Sequence, residues 1–501
     1  MNLFLRLALI AGLALPAGLA AQTAAKPNPA AGMNLKVRIQ GLPKDSNVLL
    51  ANYYGDKQFI QDTVKADANG TVVFTSDEPM PRGIYMVVLP GKKYFEIVLT
   101  DVQRFSLDTK TDDLIANMKV TGSEENKHFY DYLQYIGNVQ KSMEPLRERR
   151  TALQAAGAAK KDSVDIINKK LEKLEAETKQ FRLDYMKNHP KDFMTKVLNA
   201  MKEPEIPEVP AEFAKNDSLK QVFRFRYYKS HFFDGMDWTE DGLVRSPVYH
   251  NKITQYVEKL TVQHPDSIAE ACVHVIEKTR PSKELFKYTT HHFTFKYETI
   301  KIMCFDAIFV HLVDKYYKTG QATWLSKENE TKIIKRADQL RYTLCGKNPA
   351  NMVLNDTAGK PVELQRIKAK YTLIAFWDPD CSHCQKEMPL LKTEYEKMKA
   401  EGIDVQVFAV VTEDDEKAWK KYVKDNKLPW INGRPKDVQD RALYKHYYDI
   451  YSTPVLFLID EKKQIIAKRL DPEQMSDLIR RKEGKKVEPR PEKKTQENKS
   501  H

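Results

Sequence analysis

Residues 373–384 read Leu-Ile-Ala-Phe-Trp-Asp-Pro-Asp-Cys-Ser-His-Cys, and the fold of the C-terminal part turns on them. Leu373 to Phe376 is a short apolar run, the pattern of a buried strand. Gln385 to Lys399 reads as a helix. Cys381 and Cys384 therefore stand in a C-x-x-C spacing at a strand-to-helix junction. The first thiol lies near a helix N-terminus, where orphan amides and the helix dipole favour its thiolate. Thiolate is the form that attacks a disulfide. The placement predicts thiol–disulfide exchange.

Two blander readings compete. A structural zinc site needs two further ligands. The other cysteines, Cys272, Cys304 and Cys345, are not in C-x-x-C pairs, and His446 has no ligand-spaced neighbour. No metal is expected. A purely structural disulfide is the second, but so tight a ring is strained and reducible, which suits catalysis better than bracing.

The surroundings strengthen the redox reading. Pro389 falls five residues after Cys384, inside the predicted helix, where it removes a hydrogen bond and kinks the chain. Tyr451-Ser452-Thr453-Pro454 leads into the apolar run Val455 to Ile459, and a proline is tolerated at such a strand start. Together these residues resemble the thioredoxin superfamily, and within it the TlpA/ResA-like disulfide reductases of bacterial envelopes. The family pattern F-W-x-x-W-C-x-x-C-x-x-E-x-P is met at Phe376, Trp377, Cys381, Cys384, Glu387 and Pro389, with Asp380 in place of the second aromatic. The resemblance implies a catalytic Cys381/Cys384 pair, a kink at Pro389 and a cis-proline at Pro454 facing the disulfide. It further implies that Trp377, Thr453 and Pro454 bind substrate. Ala375 stands where cytosolic thioredoxins carry a buried Asp, so Glu387 is the expected substitute for that proton acceptor. Its alternative is an ordinary solvated helix carboxylate. His383, just before Cys384, is similar to the C-P-H-C of strongly oxidising periplasmic enzymes, and a cationic imidazole there would stabilise the thiolate.

The chain has 501 residues, enough for several domains. Its start reads as a secretory signal over 1–21: Arg6 supplies the positive charge, Leu7 to Leu15 the apolar core, and Ala20 or Ala21 the cleavage site. That core is too short for an ordinary membrane span. The expected location is the periplasm, and the mature protein is not expected to be transmembrane. The formal net charge is +12. Nine Lys or Arg against four Glu between Arg480 and His501 supply part of it. Residues 482–501 are poor in apolar groups and read as a disordered basic tail. No nucleic-acid-binding motif is present, and export argues against such a partner. Five cysteines is an odd number for an oxidising compartment. Cys272 and Cys304 fall in helical stretches and are either buried small hydrophobes or a pair; Cys345 is left over and reads as inert and buried.

The expected architecture is multidomain. Leu35, Val37 and Ile39 alternate with polar residues, and further short strands follow at Val48–Tyr54, Thr71–Thr75, Gly83–Leu89, Tyr94–Leu99 and Arg104–Leu107. This N-terminal all-β sandwich, 34–122, resembles a module fused ahead of thioredoxin-like domains in Bacteroidetes envelope proteins. A central all-α region, 124–345, contains a stripe of Ile167, Leu171, Leu174 and Phe181, an extended break at 203–210, and helices at Ser267–Lys278 and Tyr297–Tyr317. His231 to Lys252 resembles a helical module of unknown function from the same bacteria. The C-terminal α/β thioredoxin-like domain, 346–481, has an insertion around Leu428 to Tyr448, as the TlpA/ResA resemblance implies.

The function expected is an exported thiol:disulfide oxidoreductase, acting as a reductase on protein disulfides or dithiols. A membrane dithiol would be its electron donor, and it would need no dissociable cofactor. A pure binding protein working through its N-terminal domains is one rival, and two more stand beside it. One is a thiol peroxidase of the same superfamily, against which Asp378 occupies the peroxidase threonine position. The other is a non-enzymatic copper or haem-maturation chaperone, of the kind that serves cytochrome c maturation, with Cys381, His383 and Cys384 as soft ligands.

Overall fold

The alternation at residues 34–40 becomes strand β1 (Asn34–Gln40) in the computed structural model of the chain, which describes residues 32–155 and 161–487. Leu35, Val37 and Ile39 are fully buried, while Lys36 and Arg38 face outward. The expected signal segment and residues 488–501 of the expected tail lie outside the described residues. The chain divides into two units, the first ending at Leu198 and the second beginning at Asn199.

In the first unit β1 is followed by β2 (Asn47–Tyr54), β3 (Lys57–Lys65), β4 (Thr71–Thr75), β5 (Gly83–Val88), β6 (Tyr94–Leu99), β7 (Arg104–Lys110) and β8 (Lys119–Thr121). They form two four-stranded sheets, ordered β4-β1-β7-β8 and β3-β2-β5-β6. Passage from β3 to β4 changes sheet through Asp67 to Gly70. The Asp67 carboxylate accepts the amides of Asn69 and Thr71, both at 2.8 Å. Gly70 takes φ +70°, and a side chain there would strike the Ile39 carbonyl oxygen at 2.3 Å.

Helices α1 (Glu124–Ala155) and α2 (Lys161–Asn188) form an antiparallel hairpin. The predicted stripe is its seam: Ile167 and Leu171 pack with Met143, and Leu174 joins them. Tyr135 stacks on Phe181 at 3.7 Å. The Asn126 side chain ties α1 to the sheet, accepting from the Val98 amide at 2.9 Å and donating to the Val98 carbonyl at 2.8 Å. Helix α3 (Phe193–Ala200) follows a short turn.

The second unit opens with α4 (Asp217–Ser230), α5 (Tyr249–Lys259), α6 (Pro265–Lys278), α7 (Lys283–Thr299), α8 (Asp306–Leu312) and α9 (Lys327–Leu340). The single helix expected over Tyr297–Tyr317 is broken. α7 ends at Thr299, and Cys304 takes φ +70° before α8 begins. A β-carbon residue in the left-handed region cannot continue a right-handed helix.

A seven-stranded sheet completes this unit: β9 (Val353–Asp356), β10 (Pro361–Glu363), β11 (Tyr371–Trp377), β12 (Val405–Val411), β13 (Ile431–Pro435), β14 (Val455–Asp460) and β15 (Ile465–Lys468). Its order is β10-β9-β13-β12-β11-β14-β15, with β11 parallel to β12 and antiparallel to β14. Every residue of β11 is buried, because the strand has a core on both faces. Leu373, Ala375 and Trp377 pack with residues of α10 (Ser382–Ala400) and α13 (Pro472–Lys482). Ile374 and Phe376 pack on the other side with Phe408, Phe457 and Tyr444 of α12 (Val438–Tyr447). Helix α11 (Glu416–Asp425) lies between β12 and β13 in sequence. β13 and α12 account for the predicted insertion. This is a thioredoxin-like α/β domain following a β-rich region and a helical one.

Candidate active site

β11, paired on both sides within the sheet, ends at Trp377, and the next four residues form a turn. The Asp378 carboxylate accepts the Asp380 amide at 2.9 Å, and the Asp378 carbonyl accepts the Cys381 amide at 3.3 Å. The turn sets Cys381 at the N-cap of α10, half-buried, and puts Cys384 one turn inside the helix with no exposed surface. Both are free thiols. The Cys384 sulfur accepts the Asp378 amide at 3.4 Å, and the Cys381 thiol donates to the Thr453 carbonyl at 3.3 Å. The Thr453–Pro454 peptide bond is cis. Both residues of that bond are half-buried.

The two thiols are electrostatically unlike. Burial pushes Cys381 up, but the Thr453 side chain, Cys384 and the backbone at Cys384 and His383 outweigh it, so the thiol titrates below its ordinary value. Burial carries Cys384 up to about 12, against the pull of the Thr453 side chain and the Asp378 amide. One thiol is thus half-buried but reachable and titrates below its ordinary value; the other is fully buried and held protonated. Such a division suits one sulfur to attack a disulfide and the other to resolve the product.

The structure brings Cys381, Cys384, Thr453 and Pro454 together. His383 is exposed on the first turn of α10, and what it visibly contributes to Cys381 is its backbone rather than its ring. Glu387 lies half-buried one turn beyond Cys384. Trp377 is placed differently from a substrate platform. Its ring has no exposed surface and packs on Tyr422 at 5.0 Å, because β11 turns it to the same face as Leu373 and Ala375. It lines the core that also holds Cys384. Pro389 sits inside α10 as expected.

Sequence reasoning missed the residues that hold the cis-proline loop. Asp449, with its side chain 1% exposed, accepts from Arg336 of α9 at 2.5 and 3.2 Å and from Arg469 at 2.6 Å. Tyr451 donates its hydroxyl to Gln339 of α9 at 2.5 Å, and the Arg336 guanidinium lies 5.9 Å from the Tyr451 ring centre. Lys468 of β15 pairs with Asp306 of α8 and donates to the Thr343 carbonyl at 2.7 Å. The helical region therefore grips the segment that faces the dithiol.

A disulfide adds to this grip. Cys304 and Cys345 are bonded, with Cα atoms 5.5 Å apart. This corrects the expectation that Cys345 is left over. The break between α7 and α8 frees Cys304 to reach it, while α6 buries Cys272 completely and that thiol stays single. The bridge closes a sequence separation of 41 residues. Cys345→Ser should lower the unfolding free energy by about 2–4 kcal/mol, the usual range for a loop of this length. Denaturant titration without reductant measures it, and equal stabilities would show that the bond does not form.

Residues 345–468 match the AhpC/TSA family, residues 162–343 a domain of unknown function (DUF5106), and residues 33–129 another (DUF4369). Thiol-disulfide oxidoreductase ResA of Bacillus cereus is 32% identical over 123 residues, 25% of this chain and 68% of that protein. The chain thus spans about two thirds of the length of the curated relatives it matches. Among solved structures, a domain of a possible thiol-disulfide isomerase from Cytophaga hutchinsonii is 38% identical, covering 28% of this chain and 94% of that one with a TM-score of 0.26. A thioredoxin-like protein from Bacteroides caccae is 17% identical, covering 56% of this chain and 98% of that one with a TM-score of 0.40.

Proposed function

This chain belongs to the thioredoxin-like thiol-disulfide oxidoreductases of the ResA kind, and from that premise we propose that it is an exported reductase that opens disulfides in envelope proteins. The observation that carries the reading is the pair of unlike thiols set against the cis-proline loop. The Cys381 thiolate attacks one sulfur of the substrate disulfide. The substrate S–S bond breaks, and the departing sulfur leaves as a thiolate that takes up a proton from solvent. Cys384 then loses its proton and attacks the Cys381 sulfur, releasing the second substrate thiolate. The substrate has gained two electrons, and Cys381–Cys384 is now the disulfide. Glu387, one turn from Cys384, is the carboxylate nearest in sequence to receive that proton. The backbone at Thr453 and Pro454 supplies an edge for an extended substrate segment to pair with. A membrane dithiol resets the pair, and no dissociable cofactor takes part.

Arg6, the apolar run Leu7–Leu15 and the small residues at Ala20 and Ala21 support export. Among the described residues, no helix is long and apolar enough to cross a membrane. A peroxidase reading is weaker, since the Asp378 carboxylate is engaged by the Asp380 amide. The direct test is insulin reduction with a dithiol supply, run beside N-terminal sequencing of the envelope form. Wild type should outpace Cys381→Ala, whose rate should fall to that of the dithiol alone, and the mature chain should begin near Ala21 or Gln22. Equal rates would remove the reductase reading; an intact Met1 would remove export.

A further inference from the structure

The antiparallel hairpin of the first unit brings the start of α1 to the end of α2, and three metal-ligating side chains meet there. His128 lies on the first turns of α1, His189 directly follows α2, and Asp192 directly precedes α3. The His128 Nδ1 is 2.9 Å from the Asp192 Oδ2, and the two imidazole rings lie 3.8 Å apart. One ligand atom from each residue falls within 4.8 Å of the others. Among the described residues this is the one group of three His, Cys, Asp or Glu so placed. All three are half-buried.

We propose that His128, His189 and Asp192 form a binding site for one zinc ion. Two neutral imidazoles and a carboxylate are a donor set that zinc takes readily, and three protein ligands leave a fourth position for water or another ligand. Zn–N and Zn–O bonds of about 2.0–2.2 Å set tetrahedral ligand atoms roughly 3.3 Å apart. The His128–Asp192 spacing of 2.9 Å is a little under that value and the other ligand atoms lie within 4.8 Å, so the three donors already stand near the separation a single ion requires.

The supporting contacts match what a metal ligand needs behind it. The Tyr185 hydroxyl donates to Asp192 Oδ2 at 3.3 Å. The turn from His189 to Asp192 is held by the Asp192 amide on the His189 carbonyl at 3.2 Å and by the Thr195 hydroxyl on the same carbonyl at 2.7 Å. Glu125, one turn before His128, is already engaged: its oxygens accept from the Thr100 hydroxyl and the Phe193 amide, each at 2.5 Å. It therefore leaves the fourth position open. The simpler account is a hydrogen-bonded His128–Asp192 pair with a stacked imidazole. It accounts for the 2.9 Å contact and for the His189 ring, which shares a turn with Asp192, so the zinc measurement is what separates the two accounts.

The experiment measures zinc by equilibrium dialysis and elemental analysis on the full chain. It uses a Cys381→Ser, Cys384→Ser background so that the dithiol binds none. One zinc per chain is expected. His189→Ala and Asp192→Asn should each weaken binding at least tenfold, the usual loss when a metal ligand or its support is removed. His264→Ala, an exposed histidine elsewhere, should leave it unchanged. Cobalt in place of zinc should give the visible absorption of a tetrahedral site, lost in the same two variants. Less than one zinc per chain, or binding unaltered in both variants, overturns the proposal. If His189→Ala does not fold, the isosteric Asp192→Asn decides alone.

Discussion

A Cys384→Ala variant will accumulate mixed disulfides through Cys381, whereas a Cys381→Ala variant will hold none. The reason is the order of the two attacks. Cys381 is the reachable sulfur and the one whose thiol lies below its ordinary range, so it bonds to substrate first. Cys384 has no exposed surface and is carried up to about 12, so it attacks only the Cys381 sulfur, once that sulfur is bonded to substrate. Without it the reaction stops half-way, and the covalent partner survives non-reducing electrophoresis. Alkylation by iodoacetamide tests the same asymmetry. As pH rises the thiolate fraction grows, so the Cys381 midpoint should fall below the free-thiol value of about 8.5, with Cys384 silent until several units higher. The histidine variants then separate ring from backbone. His383→Pro removes the amide next to the Cys381 sulfur and should raise the midpoint; His383→Ala keeps it and should change little. A larger shift in the alanine variant would restore the imidazole as the tuning group. Equal trapping by both cysteine variants would reverse or abolish the assigned roles.

The dithiol was legible because it is local. Cys381, Cys384 and the residues that aim them lie within one strand–turn–helix, and an apolar run beside a C-x-x-C carries its meaning without long-range contacts. Pro454 was legible for a similar reason, standing directly before the apolar run of β14. Elements with no such contrast were missed. β3 is exposed along nearly its whole length and so shows no alternation. β13 contains Gly433 and Pro435, both poor strand formers. Glycine is required there, since a β-carbon would approach that of Leu354 to 2.6 Å. Trp377 shows a different limit. Its type and position point to the dithiol, but only the register of β11 decides that it faces the core. Pairings across the chain were beyond reach: Cys304 with Cys345, and Arg336 with Asp449 at a separation of 113 residues. Neither the sulfur partner nor the counter-charge leaves a local trace.

The Arg336–Asp449 contact carries the second large effect. Asp449→Asn should destabilise the second unit by about 3 kcal/mol and also lower kcat/KM for disulfide reduction. Replacing one member of a buried ion pair typically costs about 3–5 kcal/mol, because the remaining charge loses its compensation. The Asp449 side chain is 1% exposed and serves two guanidiniums, which argues for a full cost. Arg336 and Arg469 are 31% and 47% exposed, so water partly replaces the lost carboxylate, and the lower end applies. Asparagine is the informative substitution. Asp449 sits at φ +54°, a conformation Asn tolerates and Ala resists, so the amide removes charge without adding backbone strain. The functional loss follows from position. Asp449 anchors the start of the segment that ends at Thr453, whose carbonyl lies 3.3 Å from the Cys381 sulfur. If that segment loosens, the hydrogen bond and the substrate edge are populated less of the time, and the Cys381 alkylation midpoint should move with them. Arg336→Ala should show part of the same effect, since Arg469 still meets Asp449. A double-mutant cycle between Arg336 and Asp449 should then return a coupling within the range of about 0.5–3 kcal/mol seen for residues in one network. Denaturant titration and insulin turnover on the same preparations read both consequences. A stability loss with unchanged turnover and alkylation would leave the ion pair a fastening between helix α9 and the sheet. Loss of both would make the helical region a working part of the redox site.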